Sequence, residues 1–247
     1  MGTNLLSIPD DLLLGRRTFG FFEDFLNYTT TDLWTTATTV DGTAAVDTTA
    51  GASRGGVLKM TTAATSAAGN EAIVVATTTQ LFKFTDGKPL VCEARIKYAE
   101  AATDDANVFF GFADAIAVGT TQDDGAGPPA DYEGACFFKV DGGANWNVEV
   151  SDGTTQITSE LTAVNSLDGL AKACSDTSSF QVFQIKVQPT SSTRMDVSFF
   201  IDGTLVKKID STYAAPTDMD TGIVVKDGSA TNEEILYVDY ISAYQLR

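Results

Sequence analysis

Two carboxylates two residues apart on an extended strand point to one face, and Asp131-Tyr132-Glu133 has that spacing. Such a pair is the apparatus of glycosidic-bond hydrolysis: one carboxyl protonates the leaving oxygen, and the other attacks the sugar or activates water. The triplet ends a long acidic stretch bearing Gly and Pro, Asp114–Glu133, so the same residues also read as a solvated strand start. Glu149, Asp152 and Glu160 are widely spread, and Glu233-Glu234 would face opposite ways if extended. Trp146 lies near a hairpin signal and could stack on a sugar ring, although a tryptophan in a β domain is more often core or half-buried. Trp146, Asp131, Tyr132 and Glu133 therefore form the candidate carbohydrate-binding set. For a metal, Ca²⁺ takes roughly six to eight oxygens. Asp123-Asp124 is the candidate pair, with Asp104-Asp105 and Asp218 with Asp220 as similar clusters; none sits in an EF-hand pattern.

Other chemistry is excluded by composition. The chain has no histidine, which removes a Ser-His-Asp triad, a Cys-His pair and a His-based zinc site. Cys92, Cys136 and Cys174 match no zinc or redox spacing; Cys92 and Cys136 sit in apolar contexts and read as small core residues. The net charge of −17 repels phosphate backbones and anionic lipid, so neither nucleic acid nor a membrane surface is an expected partner. No stretch approaches the roughly 20 apolar residues of a membrane helix, and the N-terminal run lacks the basic start of a secretory signal.

Those side chains need a scaffold, and the pattern is β. In Val91–Tyr98, Cys92, Ala94, Ile96 and Tyr98 share one face and Glu93, Arg95 and Lys97 the other. Val108–Ala113 is apolar on both faces, as a strand between two layers would be. Ala135–Val140 and Trp146–Val150 flank a Gly-rich hairpin connection, and Asp152-Gly153 leads into Gln156–Thr158. Phe183–Gln188, Met195–Ile201, Thr204–Ile209, Ile223–Lys226 and Ile235–Tyr244 complete the strands, with Asp202-Gly203 as a tight turn. The expected core includes Phe109, Phe110, Phe112, Phe137, Phe183, Ile185, Val197, Phe199 and Val238. Only Asn4–Leu14 and Ser166–Ala173 could hold short helices. Residues 1–20 read as a separate arm before one domain over 21–247. Leu5, Leu6, Ile8, Leu12, Leu13 and Leu14 need a surface to cover them, and Arg16 and Arg17 could meet an acidic one.

Several segments together resemble the concanavalin A-like lectin/glucanase superfamily, including its laminin-G-like modules. They are Phe22-Glu23-Asp24-Phe25 before Trp34, VFFGFAD at 108–114, the Phe180–Val206 hairpin through Asp202-Gly203, and the closing strand Ile235–Tyr244. The resemblance implies an all-β, two-sheet antiparallel jelly-roll sandwich whose last strand returns beside the first. The glucanase motif of that superfamily, Glu-x-Asp-x-x-Glu, is absent, which implies no catalytic residues and a non-enzymatic module. The acidic, Thr/Ala/Gly-rich style with a leucine-bearing arm is similar to phage virion proteins that carry such domains. That likeness implies a capsid decoration or accessory protein on a protein shell of major capsid protein. Such a protein would be assembled in the host cytoplasm, as single copies or a homo-oligomer. The alternative is a carbohydrate-binding module binding a glycan, and behind it a glycoside hydrolase. No cofactor is implied beyond Ca²⁺, which occurs in many relatives of this fold.

Overall fold

The computed structural model describes residues 17–30, 32–39, 42–48, 56–62, 72–99, 105–123, 125–174, 179–213, 218–228 and 233–247. All regular structure among them is strand. In chain order the strands are β1 (Thr18–Glu23), β2 (Trp34–Thr38), β3 (Thr43–Val46), β4 (Leu58–Thr61), β5 (Ala72–Thr77) and β6 (Phe82–Lys83). They continue as β7 (Leu90–Ala99), β8 (Asn107–Ala113), β9 (Glu133–Lys139), β10 (Asn147–Asp152) and β11 (Gln156–Glu160). The last five are β12 (Gln181–Pro189), β13 (Arg194–Ile201), β14 (Thr204–Thr212), β15 (Asp218–Lys226) and β16 (Ile235–Leu246).

Two antiparallel sheets of eight strands form a jelly-roll sandwich. Sheet I runs β14-β13-β12-β7-β16-β4-β3, with β1 also on β16; sheet II runs β11-β10-β9-β8-β15-β5-β2, with β6 beside β15. The closing strand carries sheet I. The first half of β16 pairs β4 and its second half pairs β1, Thr18 opposite Leu246, while its other edge pairs β7 along almost its whole length. Strand β1 therefore reaches back to Thr18, inside the segment read from the sequence as arm. Arg17 is exposed, and its carbonyl accepts the Arg247 amide at 2.6 Å. Leu5, Leu6, Ile8, Leu12, Leu13, Leu14 and Arg16 lie outside the described residues.

Local chemistry explains the hairpins. Asp202 and Gly203 both adopt positive φ, 50° and 75°, the primed turn that matches the right-handed twist of its flanking strands. The Asp202 carboxylate also accepts the Val182 amide at 2.9 Å, tying the turn to β12. At the β10–β11 turn Gly153 takes φ 82°, and Asp152 accepts the amides of Thr154 and Thr155. Ser166–Ala173 forms turns rather than a helix: Ser166 and Gly169 close hydrogen-bonded turns, and Leu167 donates to Val206 of the β14 edge. Glycine and a nearby strand edge win there over weak helical periodicity.

The nine residues expected in the core are all buried, eight of them in the main cluster between the sheets and Phe109 in a second cluster on the far side of sheet II. Phe137 of sheet II sits edge-on to Phe183 and Phe199 of sheet I, with centroids 5.1 and 5.3 Å away. Replacing Phe199 by Ala removes one side of that contact and leaves a cavity, so chemical denaturation should show a loss of about 3–5 kcal/mol. A loss under about 1 kcal/mol would mean that the two sheets do not meet through these rings.

Candidate functional site

Strands β5, β8, β9 and β15 are buried on both faces, although each has only one face toward sheet I. The outward face of sheet II carries Ala72, Val74, Ala76, Phe109, Ala113, Cys136, Phe138 and Val224. Residues 114–123 and 125–132 cross that face as a strap and cover it with Ile116, Tyr132 and the half-buried Val118. A row of small residues in register across four strands, Ala76, Gly222, Gly111 and Cys136, keeps the central surface low. A Cβ on Gly111 would stand 2.3 Å from the Ala135 carbonyl oxygen, so no larger residue fits there.

The strap is anchored at both ends. At its base the Asp114 amide donates to Glu133 O at 2.9 Å, and Asp114 Oδ1 accepts the Glu133 amide at 3.1 Å. At its far side the buried Lys226 ammonium donates to Thr121 O at 3.1 Å and pairs with Asp123. Tyr132 goes down into the sheet, its hydroxyl 3.4 Å from Cys136 Sγ and hydrogen-bonded to the Glu149 carboxylate. Glu149 also accepts from Gln156 Nε2 at 3.1 Å and from the Thr158 hydroxyl, and the same Gln156 amide holds Pro129 O at 2.9 Å.

The two ends of the strap together enclose a cleft of about 260 Å³ lined by Asp114, Ala115, Ala117, Gly119, Thr120, Pro129, Asp131 and Tyr132. Asp114 and Asp131 bring two carboxylates to it, from the two ends of the strap. Asp220 stands behind Asp114, accepting from the Thr77 hydroxyl at 3.1 Å and from the Ile116 amide.

The candidate residues divide. Asp131 and Tyr132 line the cleft. Glu133 does not: the alternation that sends Ala135 and Phe137 into the main core puts Glu133 on that same face, 6% exposed, while Asp131 stays at the surface. The two carboxylates of the triplet thus diverge, because Asp131 lies in the turn before the strand begins. Trp146 is a core residue, 1% exposed and edge-on to Phe183 at 4.8 Å, so no sugar can reach its ring. Of the metal candidates, Asp123 is paired with Lys226, Asp218 with Lys83 at 3.0 Å, and Asp124 lies outside the described residues. Among the described residues no three carboxylate or thiol groups are placed to hold a metal ion. Asp114 and Gly119 were not singled out from the sequence, and Glu149 was weighed there only as one of three widely spread carboxylates. The available signal was that Asp114 and Glu133 bound one long loop between two strands, which the β8–β9 pairing closes.

The carboxylates on the outward face of sheet II do not form a hydrolytic pair. Glu149 is on β10 and Asp220 on β15, separated by β9 and β8. Three inter-strand spacings are about 14 Å, beyond the roughly 5–9.5 Å of glycosidase pairs.

No family model matches the chain, and no curated protein matches it. Solved structures do match across its length. The carbohydrate recognition domain of Emp47p aligns over 92% of this chain and 96% of its own, at 13% identity and a TM-score of 0.58. An endo-1,3-β-glucanase from Streptomyces sioyaensis covers 93% and 96% at 16% identity and 0.56. An endo-β-1,4-glucuronan lyase from Trichoderma reesei covers 90% and 94% at 11% and 0.57. The chain has the fold of these lectin-like jelly rolls. Nothing in the likenesses supports a virion role, and the fold, shared by binders and enzymes, leaves function to the site.

Burial pushes the carboxyls of Glu149 and Asp220 up, and with them Glu93 on sheet I, against the hydrogen bonds that each accepts. A carboxyl raised on folding contributes stability below its unfolded pKa and loses it as pH climbs through the folded value. The melting temperature should therefore rise from about pH 7 to about pH 5, and Glu149→Gln should flatten part of that slope. Asp152, held low by the Thr212 hydroxyl, gives up its contribution only at lower pH. A melting temperature that falls steadily from neutral pH in the wild type would contradict this assignment.

Proposed function

We propose that this chain is a carbohydrate-binding module that seats a sugar in the strap cleft and does not cleave it. The observation that carries the reading is the cleft itself, lined by Asp114, Asp131 and Tyr132 on a segment tied at its base by the Asp114–Glu133 hydrogen bonds. Carboxylate oxygens accept sugar hydroxyls in short, charge-assisted hydrogen bonds. The Ala115, Ala117 and Pro129 walls suit the apolar C–H face of a ring. At 260 Å³ the cleft lies below the roughly 300–1,000 Å³ of pockets for drug-sized ligands, which fits an occupant of about one sugar ring. The recognition domain, glucanase and lyase with this fold all bear names tied to carbohydrate, which agrees with such a ligand.

Binding without cleavage is the version favoured by the placement of charge. A general acid must sit in an apolar pocket that keeps its proton. Asp131 is at the surface, and Asp114 accepts a backbone amide. The buried carboxyl nearest the cleft network, Glu149, is committed to Tyr132, Gln156 and Thr158.

Gly119 offers the test, because it lines the cleft and a Cβ built there meets nothing within 4 Å. On a glycan array the wild type should bind a discrete set of glycans. Gly119→Leu should lower that binding by at least about tenfold, some 1.4 kcal/mol, with the melting temperature unchanged. Binding that ignores the substitution, or an array without any bound glycan, would refute the proposal. Sugar release from a polysaccharide that disappears in Asp131→Asn would overturn the non-cleaving half.

A further inference from the structure

We infer that the strap cleft selects sugars bearing a protonated amine over N-acetylated and anionic sugars. The inference rests on the carbohydrate reading and narrows its ligand class. Two of the eight described lining residues are carboxylates and none is Lys or Arg. The cation that anchors the strap from β15, Lys226, is spent on Asp123 and the Thr121 carbonyl. A third carboxylate, Asp220, adds its field from behind Asp114, and the repulsion between the two contributes to the raised Asp220 carboxyl.

The walls contributed by Ala115, Ala117, Gly119 and Pro129 carry no side-chain charge, so the two acids set the sign of the potential in the cleft. A bare metal ion is a poor occupant, because no three carboxylates close around one point among the described residues. An ammonium carried on a ring is a better one. It donates up to three hydrogen bonds, so it can meet the two cleft carboxylates while the ring hydroxyls and C–H face use the remaining lining. N-acetylation removes that charge and adds bulk. A uronic acid brings a like charge against Asp114 and Asp131 and is repelled.

The acidic surface as a whole, at −17, attracts any polyamine, so the test must locate the effect. Calorimetric titration would compare short oligomers of glucosamine, N-acetylglucosamine and galacturonic acid on the wild type, Asp114→Asn, Asp131→Asn and Gly119→Leu. Both Asn variants are isosteric, and in Asp114→Asn the side-chain amide oxygen can still accept the Glu133 backbone amide. The wild type should bind the glucosamine oligomer at least about tenfold more tightly than the acetylated one and leave the uronate unbound. Each Asn variant should shrink that preference to about threefold or less, and Gly119→Leu should abolish it. Equal affinity for the amine and acetyl forms overturns the inference. A preference that survives all three substitutions also overturns it, by placing the amine elsewhere on the surface. If uncharged oligomers bind in a Gly119-dependent way without amine preference, this inference fails and the carbohydrate reading stands. If no oligomer binds, the inference fails, and the glycan array decides the broader reading.

Discussion

The organising constraint of this molecule is an apolar surface on the wrong side of a sheet. A two-sheet sandwich needs one buried face per sheet, yet sheet II is apolar on both faces over β5, β8, β9 and β15. Leaving Phe109, Phe138, Val74 and Val224 in water would forfeit roughly 1.5–3 kcal/mol for each fully buried side chain. The strap satisfies that constraint with little regular structure, laying Ile116, Val118 and Tyr132 on the surface. Its own polar backbone is satisfied by short-range turns such as Gln122 to Gly127, and by the sheet below.

Covering this face creates the site. The strap leaves sheet II at Asp114 and returns at Glu133, so the two ends of a loop about twenty residues long meet at one strand edge. The anchors then fix them: Lys226 from below, the Tyr132–Glu149 hydrogen bond, and the Gln156 amide that serves both Glu149 and Pro129. A ligand meeting Asp114 and Asp131 finds them held in position, which lowers the ordering cost of binding.

Much of the fold was legible in the sequence, and the reasons are local. The alternation in Val91–Tyr98 is that of β7, and Asp202-Gly203 can only be read as a tight turn when two apolar alternating runs flank it. The doubly apolar VFFGFA run signalled a strand between two layers, although the sequence does not say that the second layer is a loop. The site was half legible. Asp131 and Tyr132 entered the candidate set through the two-residue spacing of Asp131 and Glu133, whereas Asp114 needed the β8–β9 pairing to bring it alongside. Glu133 was misplaced because the strand starts one residue after Tyr132, and a period of two applies only inside a strand. Trp146, read as core or half-buried with sugar stacking as the lesser possibility, is core because the hairpin beside it is capped by a distant segment: Trp146 donates to Lys172 O, and Leu161 donates back to Trp146 O, both at 2.8 Å. Proximity to a turn implies exposure only where nothing covers the turn, and periodicity does not report what covers it.

The proposed role, adhesion rather than hydrolysis, is one that the placement of the carboxyls favours. Glycoside cleavage requires two carboxyls facing each other across a bond, one of them kept protonated by an apolar pocket. On sheet II the apolar pocket exists, but it is filled by the strap's own Ile116 and Tyr132. The carboxyls beneath the strap, the buried Glu149 and the half-buried Asp220, are spread over β10 and β15 and bound to protein donors. The cleft carboxylates, Asp114 and Asp131, are outside that pocket. The strap thus separates two things that a hydrolase needs together, a low-dielectric surface and a converging acid pair. What is left is a fixed, negatively charged notch on a rigid sandwich, and such a notch can hold a hydroxylated or cationic ring without supplying a proton to break it.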